Sequence, residues 1–162
     1  KVEKVWEERI NSKERRKAIR RAIAATSLKD VVESRGHRIK KLKQLPVIVV
    51  DKLEGIHKTK KLKEFLIKLG LDEELERIKQ KKVRAGKGKR RGRKYRRRVG
   101  PLIVITEDKG IGKAARNLPG VDVCRVENLN VEYLAPGAMP GRLTIFTLGA
   151  IKKLEENKLF GG

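Results

Sequence analysis

The sequence has one cysteine, Cys124, two histidines, His37 and His57, and only 4% aromatic residues. A lone cysteine excludes an internal disulfide and fits a reducing compartment. Together these side chains are too few for a Cys/His metal site. The neighbours of Cys124, namely Val121, Val123 and Val126, read as a strand, so the thiol is expected to be a small apolar filler; a nucleophile would need a base nearby. No apolar run approaches the roughly 20 residues of a membrane-spanning helix, and no signal-peptide segment opens the chain. Acids are scarce as well: 20 Asp and Glu stand against 43 Lys and Arg, for a formal charge of +23 and a pI near 10.5. So large an excess implies a polyanionic partner, with nucleic acid ahead of an anionic membrane surface.

The charge is unevenly placed. Residues 1–45 hold fifteen Lys and Arg against six acids, residues 46–78 seven against seven, residues 79–98 thirteen against none, and residues 99–162 eight against seven. Nearly all the excess therefore lies in an N-terminal segment and one insertion, and a folded domain is to be sought in the two neutral parts. At 162 residues the chain has room for one domain with a buried core plus extensions.

The neutral parts alternate strand and helix. "LPVIVVD" (45–51) is a β-branched run entered through Pro46, as for a strand buried on both faces. "TKKLKEFLIKLG" (59–70) places Leu62, Phe65, Leu66 and Leu69 at helical spacing, with Thr59 as candidate N-cap and Gly70 as stop. "GPLIVIT" (100–106) predicts a second strand, "GIGKAARNLPG" (110–120) a short helix and "VDVCRV" (121–126) a third strand. "NVEYL" (130–134) reads as a helical turn, "LTIFT" (143–147) as a fourth strand and "GAIKKLEE" (149–156) as a last helix. Such alternation predicts an α/β fold, a parallel four-stranded sheet flanked by helices in three layers. The expected organisation is a basic helical segment, residues 1–45, packing on an α/β domain, residues 46–162, which a basic arm interrupts at residues 79–98.

Within the N-terminal segment, Asn11 and Glu14 have capping-box spacing ahead of "KERRKAIRRAIAA". Ala18, Ile19, Ala22 and Ile23 share one face of that helix, while Lys13, Lys17, Arg20 and Arg21 group on the other. The near absence of acids on the second face favours phosphate contact over simple solvation.

Catalytic patterns are missing. "EDKGIGKAA" (107–115) stands where a phosphate loop belongs, after a strand and before a helix, but Glu107 occupies the first glycine position and Ala114 replaces the hydroxyl that would hold Mg²⁺. A plain turn is expected. "GKGKRRG" (86–92) follows no apolar strand and is no dinucleotide fingerprint. No paired carboxylates gather in an apolar setting and no Ser, His and Asp pattern suggests a triad, so neither an enzyme nor a cofactor is expected.

The arm contains "RAGKGKRRGRKYRRR" (84–98), ten basic side chains in fifteen residues with three glycines, one tyrosine and no acid. Such a block repels itself and has nothing to bury, so it is expected to gain order only when phosphates neutralise it. Arginine forks match phosphate oxygens and stack on bases, and lysines add compact charge. Gly86, Gly88 and Gly92 let the backbone approach a folded polyanion closely and permit positive φ. Tyr95 has two readings of equal weight, a stacking platform for a base or a cover for the neighbouring core.

"RAGKGKRRGRKYRRRVGPLIVIT", "AARNLPGVDV", "ENLNVEYLAPGAMPGRLTIFT", "KERRKAIRRAIAAT" and "VVESRGH", in order from about Lys13 to Leu154, closely resemble protein four of the large ribosomal subunit in its archaeal and eukaryotic branch. The resemblance implies an α/β domain that binds large-subunit ribosomal RNA, supports assembly beside neighbouring ribosomal proteins in the cytoplasm, and has no enzymatic role. Candidate RNA contacts are then Arg15, Arg16, Lys17, Arg20, Arg21, Arg35 and His37, together with Arg84, Gly86, Lys87, Gly88, Lys89, Arg90, Arg91, Gly92, Arg93, Lys94, Tyr95, Arg96, Arg97 and Arg98. It also implies an N-terminal portion with a long loop reaching the peptide exit tunnel; nothing before Lys1 corresponds to it, and the chain is expected to be the portion that follows. A DNA-compacting protein and a nucleotide-dependent α/β enzyme are the rival readings.

Overall fold

The apolar runs of the neutral segments form one parallel sheet, and the spaced apolar residues between them form helices. The computed structural model describes residues 1–160. In chain order the helices and strands are α1 (Ser12–Ala25), α2 (Lys29–Ser34), β1 (Val47–Val49), α3 (Thr59–Lys68), α4 (Asp72–Lys79), β2 (Lys82–Val83), β3 (Tyr95–Arg96), β4 (Leu102–Ile105), α5 (Ile111–Ala115), β5 (Asp122–Arg125), α6 (Val131–Leu134), β6 (Thr144–Thr147) and α7 (Leu148–Glu156).

The main sheet runs β1-β6-β4-β5 with every neighbouring pair parallel. Its two inner strands, β4 and β6, are buried at every residue, which is why they read in the sequence as unbroken apolar runs and not as alternation. The pleat sends successive side chains to opposite faces. Ile103, Ile105 and Ile145 pack with Leu62 and Leu66 of α3, Leu75 and Ile78 of α4, and Ile111 and Ala114 of α5. Leu102, Val104 and Phe146 pack with Ile19 and Ala22 of α1, Leu134 of α6 and Ala150 of α7. The result is three layers, helices on both faces of the sheet. Each fully buried Leu, Ile or Phe contributes about 1.5 to 3 kcal/mol of transfer free energy, so these two clusters dominate stability. Cys124 is a member of the second cluster, and burial pushes its thiol up to about 11.

Several local expectations change. Helix α3 starts one residue earlier than expected: Thr59 is its first helical residue, not its cap, and Lys58 flanks it without a side-chain cap, whereas Gly70 takes the left-handed conformation (φ +86°) of a helix stop. Asn11 does cap α1, accepting from Lys13 N at 3.1 Å. On α1, Ile19 and Ala22 are buried but Ala18 is exposed. Residues 1–10 have no regular helix, so the helical part of the N-terminal segment is α1 and α2. Helices α2 and α4 and the β2–β3 ribbon were not foreseen.

Candidate nucleic-acid interface

The arm leaves the fold between α4 and β4. Its outgoing and returning limbs pair as an antiparallel ribbon, Lys82 opposite Arg96 and Val83 opposite Tyr95, extended by a bond from Arg84 N to Lys94 O of 2.8 Å. At the tip, Gly86–Lys89 forms a 3₁₀ turn, and Arg93 N donates to Gly88 O at 3.1 Å. Gly86 (φ +72°) and Gly92 (φ +75°) supply the left-handed positions that this tight reversal needs; Gly88 does not. The arm therefore has backbone order of its own, contrary to the expectation that only phosphates would order it. What it lacks is a core: Arg84, Lys87, Lys89, Arg90, Arg91, Arg93, Lys94, Tyr95, Arg96, Arg97 and Arg98 are all exposed. Tyr95 lies under the ammonium groups of Lys81 (4.6 Å to the ring centroid) and Lys94 (5.6 Å), so its ring covers no core and serves its own cations.

The returning limb is fixed to the domain at the root, and the outgoing limb continues from α4. Arg77 on α4 grips Glu74 with Nε (2.7 Å) and Nη2 (2.6 Å), and Nη2 also donates to Val99 O at 2.7 Å, where the returning limb reaches the sheet. Gly100 N donates to Gly120 O at 2.8 Å. Arg142, only 1% exposed, donates to Gly100 O (2.9 Å), Tyr133 O (2.9 Å) and Gly120 O (3.3 Å) and pairs with the Asp122 carboxylate. These groups surround the starts of β4, β5 and β6, so the arm projects from the amino-terminal edge of the sheet.

Glu74 organises a second piece of the root. Its fully buried carboxylate accepts from His37 Nδ1 at 2.7 Å and from Arg38 N at 3.0 Å, besides the Arg77 fork. Burial alone would raise its pKa, but the Arg77 and His37 hydrogen bonds outweigh burial and hold it at about 2. An ionised carboxylate cannot donate, so Nδ1 of His37 carries the proton, and burial keeps the ring neutral by lowering its pKa. This corrects the reading of His37 as an exposed RNA contact: its side chain is 1% exposed and its Nδ1 is bonded inward to Glu74. Arg35 is corrected in part. Its guanidinium donates to Pro136 O at 2.8 Å, Pro140 O at 3.4 Å and Met139 O, drawing the 136–140 loop onto α2. On α1, Arg15, Arg16, Lys17, Arg20 and Arg21 are exposed; Lys17, Arg20 and Arg21 lie opposite the buried Ile19 and Ala22, whereas Arg15 is on the same side as those two.

The opposite edge of the sheet, where nucleotides bind in open α/β folds, is filled by carboxylates. Glu54, 2% exposed, accepts from Thr106 N (2.8 Å) and Thr147 Oγ1 (3.1 Å), and Asp51 accepts from Gly149 N at 2.7 Å. In the 107–115 turn, Asp108 Oδ1 accepts from Gly110 N (2.9 Å) and Gly112 N (3.1 Å), and those bonds hold its carboxyl below the usual range. The backbone donors that a phosphate loop would offer are thus already taken by an anion of the chain itself.

Sequence reasoning missed Glu74, Arg77 and Arg142, because a charged residue in a polar stretch gives no sign of burial until its partners are placed in space. Comparison with known proteins then identifies the lineage. The model of the "Ribosomal protein L4/L1 family" matches residues 1–157. The chain is 56% identical over 162 residues to the large ribosomal subunit protein uL4 of Nanoarchaeum equitans, covering 99% of this chain and 59% of that protein. It is 52% identical over 155 residues to the protein of that name from Methanopyrus kandleri, covering 95% and 60%, and 49% identical over 154 residues to the one from Methanosphaera stadtmanae, covering 94% and 60%. The chain spans about three fifths of the length of these relatives. A match that takes in the arm, its anchors and both neutral segments leaves one assignment: the chain belongs to the ribosomal protein L4/L1 family.

Proposed function

We propose that the chain is a structural, non-enzymatic constituent of the large ribosomal subunit, which binds ribosomal RNA and supports assembly on the cytoplasmic ribosome beside other ribosomal proteins. One observation carries this reading: a stretch with thirteen cations and no acid projects from one edge of the sheet, while the edge used for small nucleotides is closed by carboxylates. The contact residues are the exposed arm, Arg84 to Arg98, and the exposed cations of α1, namely Arg15, Arg16, Lys17, Arg20 and Arg21. Arginine forks on a glycine-turned ribbon suit the closely spaced phosphates of a folded RNA.

The test is binding of the chain to large-subunit ribosomal RNA across a salt series. With roughly six to ten phosphates contacted, log K should fall against log salt with a slope of magnitude about 4 to 9. A slope near zero removes the electrostatic basis. Competition by duplex DNA at equal salt separates this reading from general compaction; equal competition would favour the latter.

A further inference from the structure

Outside the arm tip, the root of the arm borders a cleft of about 310 Å³ lined by Ile78, Lys79, Lys81, Arg97, Arg116, Asn117 and Pro119. Three elements meet there. Lys79 and Lys81 end α4 and begin the outgoing limb, Arg97 lies on the returning limb, and Arg116 and Asn117 follow α5. Among the described residues none of the four cations pairs with a carboxylate, and no acid lines the cleft. Like charges brought together from three elements repel, so the fold must hold them against that repulsion.

The means is a close backbone contact. Gly120 (φ +74°) has no room for a Cβ against Arg98 O, and a Cβ on Gly100 would stand 2.9 Å from Gly120 O and 3.1 Å from Ile78 Cγ2. The Gly100 N to Gly120 O bond closes this junction and sets the 116–119 turn beside Arg97. The cleft beyond Arg98 is different in kind: it also contains Glu33, and its Arg77 is already neutralised by Glu74. Arg97 and Arg98 line different clefts, and only the one at Arg97 has four uncompensated cations.

We propose that the Lys79, Lys81, Arg97 and Arg116 cleft is a preformed seat for consecutive phosphates of one ribosomal RNA backbone segment, with the Asn117 amide as an additional donor. This rests on the RNA-binding reading and adds a second contact site to it, beyond the arm tip and α1. Each backbone phosphate carries one negative charge, so a lone inorganic phosphate would leave most of the cleft charge unmatched, whereas successive phosphates of a strand compensate it.

The experiment compares the unaltered chain, the variant K79S/K81S/R116S and an arm-tip variant, R90S/R91S/R93S, on large-subunit ribosomal RNA carrying phosphorothioates, probed by iodine cleavage. Circular dichroism melts check that each variant is folded. Each released counterion is worth about fivefold in affinity at ~0.15 M salt, so losing three contacts should weaken binding on the order of 100-fold and flatten the salt slope by roughly 2 to 3. Protection should vanish at a short run of adjacent phosphates that the arm-tip variant still protects. If the cleft variant keeps the affinity, slope and footprint while the arm-tip variant loses binding, the cleft is no phosphate seat although the RNA-binding reading stands. If neither variant loses binding, both fall. Saturable micromolar binding of inorganic phosphate, abolished by R116S, would overturn the assignment to a polymer strand.

Discussion

Replacing Arg142 by methionine removes a guanidinium but keeps much of its volume, so the change tests hydrogen bonding more than cavity formation. Gly100 O and Tyr133 O would each lose a bond of 2.9 Å from a charged donor. Gly120 O keeps its bond from Gly100 N and suffers less. A buried acceptor left unsatisfied costs about 1 to 3 kcal/mol, so two of them give roughly 2 to 6. The Asp122 partner adds little, because its side chain is 50% exposed and water screens it. Replacing both members of a buried ion pair by apolar groups can be neutral, but backbone carbonyls cannot be replaced, and removing one side only is the costly case. We expect a loss of about 3 to 5 kcal/mol, a large fraction of the ~5 to 15 kcal/mol that holds a domain together. Urea denaturation followed by circular dichroism reads it directly: with a slope of roughly 2 kcal/mol/M, the midpoint falls by about 2 M. Arg142→Lys should recover less than half, since one ammonium cannot span carbonyls from three segments. A midpoint for the methionine variant within ~0.5 M of the unaltered chain would refute the claim that these bonds hold the arm root to the sheet.

Three further outcomes follow from the same geometry. Changing Arg93, Arg96 and Arg97 together to Ser should weaken ribosomal RNA binding while leaving the melting temperature nearly unchanged, since these cations are exposed and touch no core; a large loss of folded structure would contradict it. Glu74, held at about 2, has a depressed folded pKa against about 4.3 unfolded. Its contribution, about 3 kcal/mol, is complete above the unfolded value and is lost as pH falls from about 5 toward 2. His37, with its pKa lowered by burial, acts in the same direction from ~6.5 downward. Urea midpoints at pH 7, 5 and 3 should decline, and Glu74→Gln should be less stable at pH 7 with a flatter profile; a decline as steep in that variant would place the acid sensitivity elsewhere. Trypsin should cut the RNA-free chain first within residues 84–98, because an isolated two-stranded ribbon is marginal in water, and bound RNA should suppress those cuts; first cleavage elsewhere would show the ribbon to be as protected as the domain.

The inner strands β4 and β6 were legible because parallel strands buried on both faces are apolar throughout, and "LIVI" or "TIFT" admits few other readings. The edge strands β1 and β5 were legible from shorter valine-rich runs; β1 is not buried on both faces as its sequence suggested, since Ile48 is exposed, and β5 exposes Asp122 and Arg125. Helix α3 was legible from Leu62, Phe65, Leu66 and Leu69. Helix α4, "DEELERIK", was not, since its two buried apolar residues, Leu75 and Ile78, make too short a stripe to stand out among charges. The site divides in the same way. Arm cations are functional candidates by density alone, and density is a local property. The role of His37 depends on Glu74, 37 residues away, and that of Arg35 on carbonyls more than 100 residues away, so both looked like surface charge until the chain was folded. The cleft residues Arg116 and Asn117 gave no signal either, sitting in a near-neutral segment until the Gly100–Gly120 contact brings them to the arm.

The placement of the acids explains why so basic a chain folds and still leaves many cations without a carboxylate partner. Glu74 neutralises Arg77, Asp122 pairs with Arg142, Asp72 pairs with Lys41 at 2.7 Å, and Glu127 pairs with Lys153 at 2.6 Å. Glu54, Asp51 and Asp108 accept from backbone donors or a hydroxyl. None of these carboxylates lies in the arm, where the sequence has no acid between Glu76 and Glu107. A cation already paired inside the chain must give up that partner before it gains from a phosphate, and it releases no counterion from the RNA unless it does. Arg77 and Arg142 therefore belong to stability, while under the proposed function the cations from Lys79 to Arg98 and Arg116 are those left for binding. The salt slope should accordingly be insensitive to Arg142→Lys in chains that remain folded, and should fall by about 0.7 to 0.9 for each arm or cleft cation that is removed from a phosphate contact.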